Sequence, residues 1–310
     1  MSLEILNKYK IKAKKSLGQN FLVNDDIVEE IADAINVEGE NIVEVGPGYG
    51  ALTEKLIARK PKSLNLVELD KDMIEILEKR IKNNDFDLSG IDFHINNIDV
   101  LKYEPTDVDI CRDAPCGCPE NTTGYPQGAP LHKYSVIANI PYYITSPILR
   151  HFLYDVKTKP ENMVILMQKD VGDKILSGQC RDAPCGCPVI SNNKKMKSSV
   201  LSLFVDKKAS VGELIIVGKQ NFIPAPKVES SVLVFELHDE YKDIDDDNFM
   251  ELIKKGFKEP RKMLVKNLVT SGYDKNYVSE IFGELGIDLN IRGEDLDISI
   301  WCELCKKIYN

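Results

Sequence analysis

Short apolar segments alternate with amphipathic helices along the first half of this chain, and that alternation limits the folds it can adopt. Helices with one apolar face are predicted after Asn24 and after Asp70, two residue types that cap helix N-termini well. Strands are predicted at residues 42–45, 64–69, 91–95, 135–138 and 163–167. Strands and helices in alternation form a parallel sheet with helices on both faces. The sequence therefore predicts an α/β fold with a doubly wound, mostly parallel, Rossmann-like sheet.

The pattern changes in the second half of the chain. Apolar runs at residues 200–205, 214–217 and 231–237 are predicted as strands, and the last two have no long helix between them. They predict an antiparallel hairpin at one edge of the sheet. After a charged linker at residues 238–247, apolar residues recur at helical spacing, which predicts a small all-helical C-terminal domain. The expected organisation is a basic arm over residues 1–16, a sheet domain over 17–240 and a helical domain over 245–310.

Length and charge narrow the function only slightly. The 310 residues suffice for a full α/β core and a second, smaller domain. No apolar run is long enough to cross a membrane, and the first residues lack the apolar stretch of a signal peptide, so we expect a cytoplasmic protein without a membrane partner. The net charge of −9 argues mildly against a nucleic-acid partner. Phosphate binding depends on local cation density, however, and lysines do cluster in the basic arm.

A glycine-rich turn follows the first predicted strand of the sheet. Gly46, Gly48 and Gly50 let the backbone turn tightly and approach a ligand, at the carboxyl end of a strand where nucleotide folds bind their ligands. The spacing is G-x-G-x-G, whereas dehydrogenases use G-x-G-x-x-G to place a pyrophosphate at the helix N-terminus. S-adenosylmethionine has no phosphate to place there. The spacing therefore favours S-adenosylmethionine, with NAD as the competing cofactor.

Two carboxylates follow the next two strands. Glu68 lies at the end of the second predicted strand, where a carboxylate can accept hydrogen bonds from both hydroxyls of a ribose. Asp99 follows the third strand, where it can accept a hydrogen bond from the amine of the cofactor's adenine. Together with the three glycines, these carboxylates predict a site for a nucleoside cofactor.

The segment Asn139-Ile140-Pro141-Tyr142 follows the fourth predicted strand. The exocyclic amine of adenine is a poor nucleophile, because its lone pair is delocalised into the ring. Hydrogen bonds from this amine to the Asn139 side-chain oxygen and the Ile140 carbonyl would favour a tetrahedral, nucleophilic nitrogen. Pro141 restricts the backbone, and Tyr142 offers a face on which an extruded base can stack. The motif predicts methyl transfer to adenosine by positioning and electrostatics, without a metal or a covalent intermediate.

With these residues assembled, the chain resembles the KsgA-type small-subunit rRNA dimethyladenosine transferases from about residue 17 to the C-terminus. Residues 16–22 (SLGQNFL) resemble the entry motif of the family, whose asparagine and leucine contact the cofactor; here these are Asn20 and Leu22. The resemblance also places the glycines, Glu68, Asp99 and Asn139 at cofactor positions.

Residues 222–228 (FIPAPKV) resemble the family's second target-base motif. This implies that Phe222 packs on the target adenine opposite Tyr142 and that Lys227 contacts RNA. The C-terminal region resembles the family's helical domain, which implies RNA contacts for Arg261 and Lys262. Where the family usually has Arg-Arg-Lys, this chain has proline in place of the first arginine and so loses one cation.

The resemblance implies transfer of four methyl groups to two adjacent adenosines near the 3′ end of small-subunit rRNA, within a pre-ribosomal particle; we expect the protein to be a monomer. The Erm-type large-subunit rRNA methyltransferases are close relatives, and the C-terminal domain favours the small-subunit enzymes. A second hypothesis is an assembly factor that acts mainly by binding the particle. A third, a nicotinamide-dependent oxidoreductase, gives no role to residues 139–142.

Two inserts do not fit the family pattern. The sequence CRDAPCGCP occurs at residues 111–119 and again at 180–188, within inserts near 111–131 and 180–190, and contains six of the eight cysteines. Three interpretations stay open. In the first, the thiolates bind a metal, although the spacing is not that of a standard zinc pair. In the second, Asp-Ala-Pro-Cys acts as the nucleophilic motif that it resembles in RNA cytosine-5 methyltransferases, and in the third the inserts are inert loops. We assign no metal site, and we expect Cys302 and Cys305 to pack inside a helical core.

Overall fold

The computed structural model describes residues 2–105, 133–177 and 197–309, so the two cysteine-rich inserts lie outside the described residues. The chain divides into two compact units, one comprising Met1–Lys169 and Leu214–Phe235, the other Asp170–Glu213 and Glu236–Asn310. The domain limits at 17–240 and 245–310 stay predictions. Within the described ranges, no helix is both long enough and apolar enough to span a bilayer.

The described strands are β1 (Phe21–Leu22), β2 (Asn41–Val45), β3 (Ser63–Glu68), β4 (Asp92–Asn97), β5 (Ser135–Asn139), β6 (Asn162–Gln168), β7 (Ala209–Val217), β8 (Phe222–Ile223) and β9 (Ser230–Leu237). Seven of them form one sheet with the order β4-β3-β2-β5-β6-β9-β7, most of which lies in the first unit. The neighbours β2–β3, β3–β4, β2–β5 and β5–β6 pair in parallel, and the edge pair is antiparallel, which confirms the predicted fold class. A separate two-stranded antiparallel sheet joins β1 to β8.

The helices begin where the sequence provides caps. The Asn24 side chain accepts hydrogen bonds from the backbone N–H groups of Asp26 and Ile27, and the Asp70 side chain accepts one from Asp72, so both predicted N-caps are confirmed. The described α-helices are α1 (Ser2–Lys8), α2 (Asp25–Ala32), α3 (Ala51–Ala58), α4 (Lys71–Lys82), α5 (Thr145–Arg150), α6 (Lys169–Leu176), α7 (Val200–Asp206), α8 (Asp246–Gly256), α9 (Leu264–Thr270), α10 (Lys275–Glu284) and α11 (Ile298–Tyr309).

One predicted element was wrong. Residues 200–205 were expected to form a strand, and they form helix α7 instead. Ser199 and Ser202 make a reciprocal capping box at its start, which satisfies backbone N–H groups that a helix end leaves free. A short apolar run does not reveal its own periodicity, so only the cap signalled a helix.

The central strands are buried on both faces. Every residue of β2 and β3 is buried, as are the first four of β5, which is typical of parallel strands covered by helices on both sides. The carboxyl ends of these strands therefore meet at one edge of a rigid sheet, and the polar residues predicted to bind ligands lie at that edge.

The second unit has a helical core of its own around Trp301. The indole is fully buried, stacks against Phe257 with ring centroids 5.7 Å apart, and donates a hydrogen bond to the Gly293 carbonyl. Cys302 and Cys305 are buried in this core, and burial raises the pKa of the two thiols to about 12 and about 11. Both are therefore neutral thiols at physiological pH.

Candidate active site

The glycine turn after β2 lies directly against the end of β5. Gly46 has φ +70°, and a Cβ atom there would lie 3.2 Å from the Asn139 carbonyl oxygen. Its N–H donates to the Val67 carbonyl at 3.0 Å, which ties the turn to β3. Any side chain at Gly46 would be in an unfavourable backbone conformation and would press on the backbone of β5. The first and fourth predicted strands thus end side by side.

Glu68 ends β3 as a buried carboxylate next to this turn. One of its oxygens accepts the Gly48 N–H at 3.1 Å and the other accepts the Asp70 N–H at 2.8 Å. Burial raises the pKa of the Glu68 carboxyl, and these two hydrogen bonds oppose that increase. A carboxylate oxygen has two lone pairs, so each oxygen can still accept a ligand hydroxyl.

Asp99 lies just beyond β4 and caps a short 3-10 helix, Val100–Lys102. One of its oxygens accepts the Leu101 N–H at 3.0 Å, which fixes the side chain and leaves the second oxygen for a ligand. Its neighbours Ile98 and Val100 line the same cavity. An acceptor between two apolar side chains is a suitable setting for the edge of an adenine ring.

The turn after β5, residues 139–142, presents an amide and an aromatic ring. Within the described part of the chain, the Asn139 side chain has no hydrogen-bond partner, so its oxygen is available to a ligand amine. The Tyr142 hydroxyl lies 2.7 Å from the Ser230 hydroxyl, and the Tyr142 carbonyl accepts the Thr145 hydroxyl. Burial raises the pKa of Tyr142. The residue is thus held through its hydroxyl and its backbone, and the hydroxyl stays neutral at physiological pH.

Phe222 reaches the same cavity from β8. Strand pairing places Phe222 opposite Leu22, and the Val23 N–H donates to the Asn221 carbonyl at 2.8 Å. Only 3% of Phe222 is exposed. The entry motif and the second target-base motif, 200 residues apart in sequence, therefore form one wall.

A single cavity brings most of the sequence-predicted site residues together. It is lined by Asn20, Leu22, Gly46, Gly48, Glu68, Asp99, Asn139, Ile140, Pro141, Tyr142 and Phe222. Gly50 does not line it, and Lys227 is exposed outside it. Arg261 and Lys262 are exposed residues of the second unit, where Lys262 pairs with Glu259. The roles assigned to all these residues stay predictions.

Sequence analysis missed a buried acid in the cavity wall. Glu44 is 1% exposed, accepts the Thr53 hydroxyl at 2.7 Å, and has a pKa raised to about 8, mainly by burial. The Glu68 carboxylate raises this pKa further. The available signal was a charged residue between Val43 and Val45 in the apolar run of β2, since charged residues are rarely buried without a specific reason.

Sequence analysis also missed Arg80, which holds the end of the glycine turn. The Arg80 guanidinium, 2% exposed, donates to the carbonyls of Tyr49 and Gly50 at 2.8 and 2.9 Å and to Glu54 at 2.6 Å. It also packs over the Phe86 ring, 4.3 Å from the centroid. Arg80 lies on the apolar face of α4, where a cation is unexpected, and this position was the signal.

The residues present fit S-adenosylmethionine. The cavity combines a close backbone turn, a buried carboxylate for a ribose, an acceptor between apolar side chains for an adenine, and an amide that has no hydrogen-bond partner among the described residues. The described residues contain no cluster of side chains that could hold a metal ion.

Comparison with known proteins shows the family. The ribosomal RNA adenine dimethylase family model matches residues 10–308. The "Ribosomal RNA small subunit methyltransferase A" of Mycoplasma mobile is 32% identical and the alignment covers 93% of this chain and 95% of that protein. The protein of the same name from Alkaliphilus oremlandii is 33% identical, with coverage of 95% and 91%.

Solved structures show the same fold. A dimethyladenosine transferase from Plasmodium falciparum superposes with a TM-score of 0.66 at 20% identity, covering 92% of this chain and 95% of that one. The 23S rRNA methyltransferase ErmE superposes with a TM-score of 0.62 at 17% identity, covering 94% and 100%. On the extent of the family match and the identity to these relatives, the chain belongs to the ribosomal RNA adenine dimethylase family and is an S-adenosylmethionine-dependent methyltransferase.

Proposed function

We propose that this protein dimethylates the N6 amines of two adjacent adenosines near the 3′ end of small-subunit rRNA, as a cytoplasmic monomer acting on a pre-ribosomal particle. The observation that supports the proposal is that the glycine turn at Gly46 lies against the Asn139 backbone, so the groups assigned here to the cofactor and to the target amine are neighbours. The names of the bacterial relatives support the choice of the small subunit.

The cofactor half of the cavity is assigned to its buried polar groups. When bound, S-adenosylmethionine supplies an electrophilic methyl group. In this proposal Glu68 accepts the ribose hydroxyls, Asp99 accepts the adenine amine, and the backbone of the glycine turn, together with Asn20 and Leu22, completes the pocket. Glu68 and Asp99 are both held by backbone N–H groups, so little reorganisation is needed when the cofactor binds.

The acceptor half prepares the target amine. The Asn139 side-chain oxygen and the Ile140 carbonyl accept the two N–H groups of the adenosine amine, which keeps its nitrogen tetrahedral and its lone pair available. Pro141, with φ −58° and ψ 137°, fixes the turn that carries both acceptors. The rate acceleration then comes from orientation, since the amine is presented to the methyl group without a strong base.

Two aromatic rings hold the extruded base and exclude water. Tyr142 and Phe222 line the same cavity, and both are restrained by hydrogen bonds or strand pairing. Stacking on aromatic rings binds a base through its flat face. Lys227, Arg261 and Lys262 are proposed to contact the RNA phosphates outside the cavity.

The test is an Asn139→Ala variant assayed on unmodified small subunits, with large subunits as the competing substrate and modified nucleosides identified by mass spectrometry. We expect methyl transfer to be abolished while calorimetry shows cofactor affinity largely intact. Asn36→Ala, at an exposed position in the same unit, is the matched control. Undiminished turnover by Asn139→Ala would refute the assigned roles. Methylation of large-subunit rRNA by the unaltered protein would favour an Erm-type function, and binding of small subunits without methylation would favour an assembly factor.

A further inference from the structure

The segment from Lys14 to Leu22, called here the entry segment, contacts both halves of the cavity. On the cofactor side, Phe21 packs edge-on against Tyr49, with centroids 5.5 Å apart, and the Tyr49 hydroxyl donates to the Leu22 carbonyl at 2.9 Å. On the acceptor side, a Cβ atom at Gly18 would lie 3.2 Å from the Tyr143 ring and 3.4 Å from Pro141. Residues 17–22 all line the cavity.

A compact polar network ties this segment to the start of α4. The Lys14 ammonium lies 2.6 Å from one oxygen of Asp70 and 2.7 Å from Asp72. The Gln19 amide donates to the other Asp70 oxygen at 2.8 Å and accepts the Lys14 backbone N–H at 2.8 Å. Both ends of the Lys14–Gln19 turn therefore meet on one carboxylate.

Asp70 connects this network to the proposed cofactor site. Its side chain is 2% exposed, it caps α4, and its N–H donates to Glu68. Burial raises the pKa of Asp70, but the hydrogen bonds from Lys14 and Gln19 outweigh burial and hold it below its usual value. The carboxylate is thus charged at neutral pH and can keep its partners in place.

Lys14 is paired within the fold, although its place in the basic arm suggests a solvated or phosphate-binding side chain. A lysine in a basic cluster is usually solvated or bound to phosphate. The Lys14 ammonium instead lies between two carboxylates, and Lys8 pairs with Asp85. These two lysines are therefore committed to carboxylates of the first unit.

We propose that Lys14, Gln19 and Asp70 form a latch that keeps the entry segment closed over the bound cofactor and slows its release. The latch rests on the proposed assignment of the cofactor to this cavity. All three are positioning residues, because they act through the entry segment. Opening the latch frees residues 17–22 to move away from the cavity, and differences in affinity among variants of one site arise mostly in the dissociation rate.

The experiment is a chase assay with the full chain. The protein is loaded with radiolabelled S-adenosylmethionine, mixed with excess unlabelled cofactor, and the loss of bound label is followed. Gln19→Leu and Lys14→Met should release label about 5- to 30-fold faster, which corresponds to about 1–2 kcal/mol, the order of one hydrogen bond. Lys14→Arg should largely restore slow release. In methylation assays the KM for the cofactor should rise more than kcat falls.

Two controls separate the latch from a general loss of stability. Lys60→Gln removes an exposed ion pair with Asp87 of similar length, 2.8 Å, at a residue that does not line the cavity, and should leave release unchanged. Added sodium chloride should accelerate release from the unaltered protein more than from Lys14→Met, because salt screens exposed charge pairs. If Gln19→Leu does not fold, Lys14→Met, which alters a partly exposed side chain, decides the question.

Release within twofold of the unaltered protein for folded Lys14→Met, or equal acceleration by Lys60→Gln, would overturn the latch. The assay requires no RNA, so its result is independent of methyl transfer. A protein that binds no cofactor at all would contradict the proposed function, whereas normal binding with unaffected release would contradict the latch alone.

Discussion

Substitution of Gly50 by alanine should destabilise the first unit far more than the same substitution at Gly39. Both glycines have positive φ angles, +85° at Gly50 and +72° at Gly39. A Cβ atom at Gly50 would lie 2.8 Å from Leu77, 3.0 Å from Phe86 and 3.1 Å from the Arg80 guanidinium, whereas at Gly39 it would meet nothing within 4 Å. Gly39→Ala therefore measures the cost of backbone strain alone, and Gly50→Ala measures that cost together with the cost of overpacking.

The magnitudes follow from these contacts. A left-handed conformation costs a non-glycine residue about 1–2 kcal/mol, and alanine recovers about 0.4–1 kcal/mol by restricting the unfolded chain. Gly39→Ala should therefore cost about 1 kcal/mol or less. Gly50→Ala adds about 1–3 kcal/mol of overpacking, because Leu77, Phe86 and Arg80 are all buried and have little room to move. The expected total is about 1–4 kcal/mol.

Urea unfolding followed by far-UV circular dichroism measures both costs without cofactor. Fluorescence of the single tryptophan, Trp301, follows the other unit in the same samples. Gly50→Ala should also weaken S-adenosylhomocysteine binding, since Arg80 holds the Tyr49 and Gly50 carbonyls. Equal destabilisation by the two substitutions would show that the packing around Gly50 yields freely, and the reasoning would fail.

Two further predictions concern the cavity wall. Glu44 has a folded pKa of about 8 against an ordinary 4.5, so the folded state retains a proton that the unfolded chain loses, and stability should fall as pH rises from about 4.5 to about 8. Glu44→Gln should flatten this dependence in urea titrations across that range, and an unchanged slope would mean that Glu44 is ionised in the folded protein. Tyr142→Leu should lower kcat/KM for the RNA substrate by about 5- to 150-fold, the loss expected for one stacked base. Tyr142→Phe loses only the contact with Ser230, so its kcat/KM should stay within a few-fold of that of the unaltered protein. Similar values for the two Tyr142 variants, measured by methyl incorporation, would argue against stacking.

Local sequence patterns were sufficient to predict most of the fold. Apolar runs of strand length, the caps Asn24 and Asp70, and the glycine turn each carry a signal within a few residues, and the structure confirms these elements. Residues 200–205 were misassigned because a six-residue apolar run is compatible with either a strand or a buried helix. The cap formed by Ser199 and Ser202 resolved that ambiguity in favour of the helix.

The sequence by itself determined the fold class, the family and the set of polar residues at the strand ends, because these depend on periodicity and short motifs. Only the tertiary structure revealed that Arg80 holds the glycine turn, that Glu44 is buried, and that Lys14 and Gln19 meet on Asp70. Burial and pairing of a charged group depend on which distant segments pack against it. The sequence around Lys14 is that of a basic arm whether its ammonium group is solvated or paired. The pairing depends on Asp70, which lies more than fifty residues away in sequence.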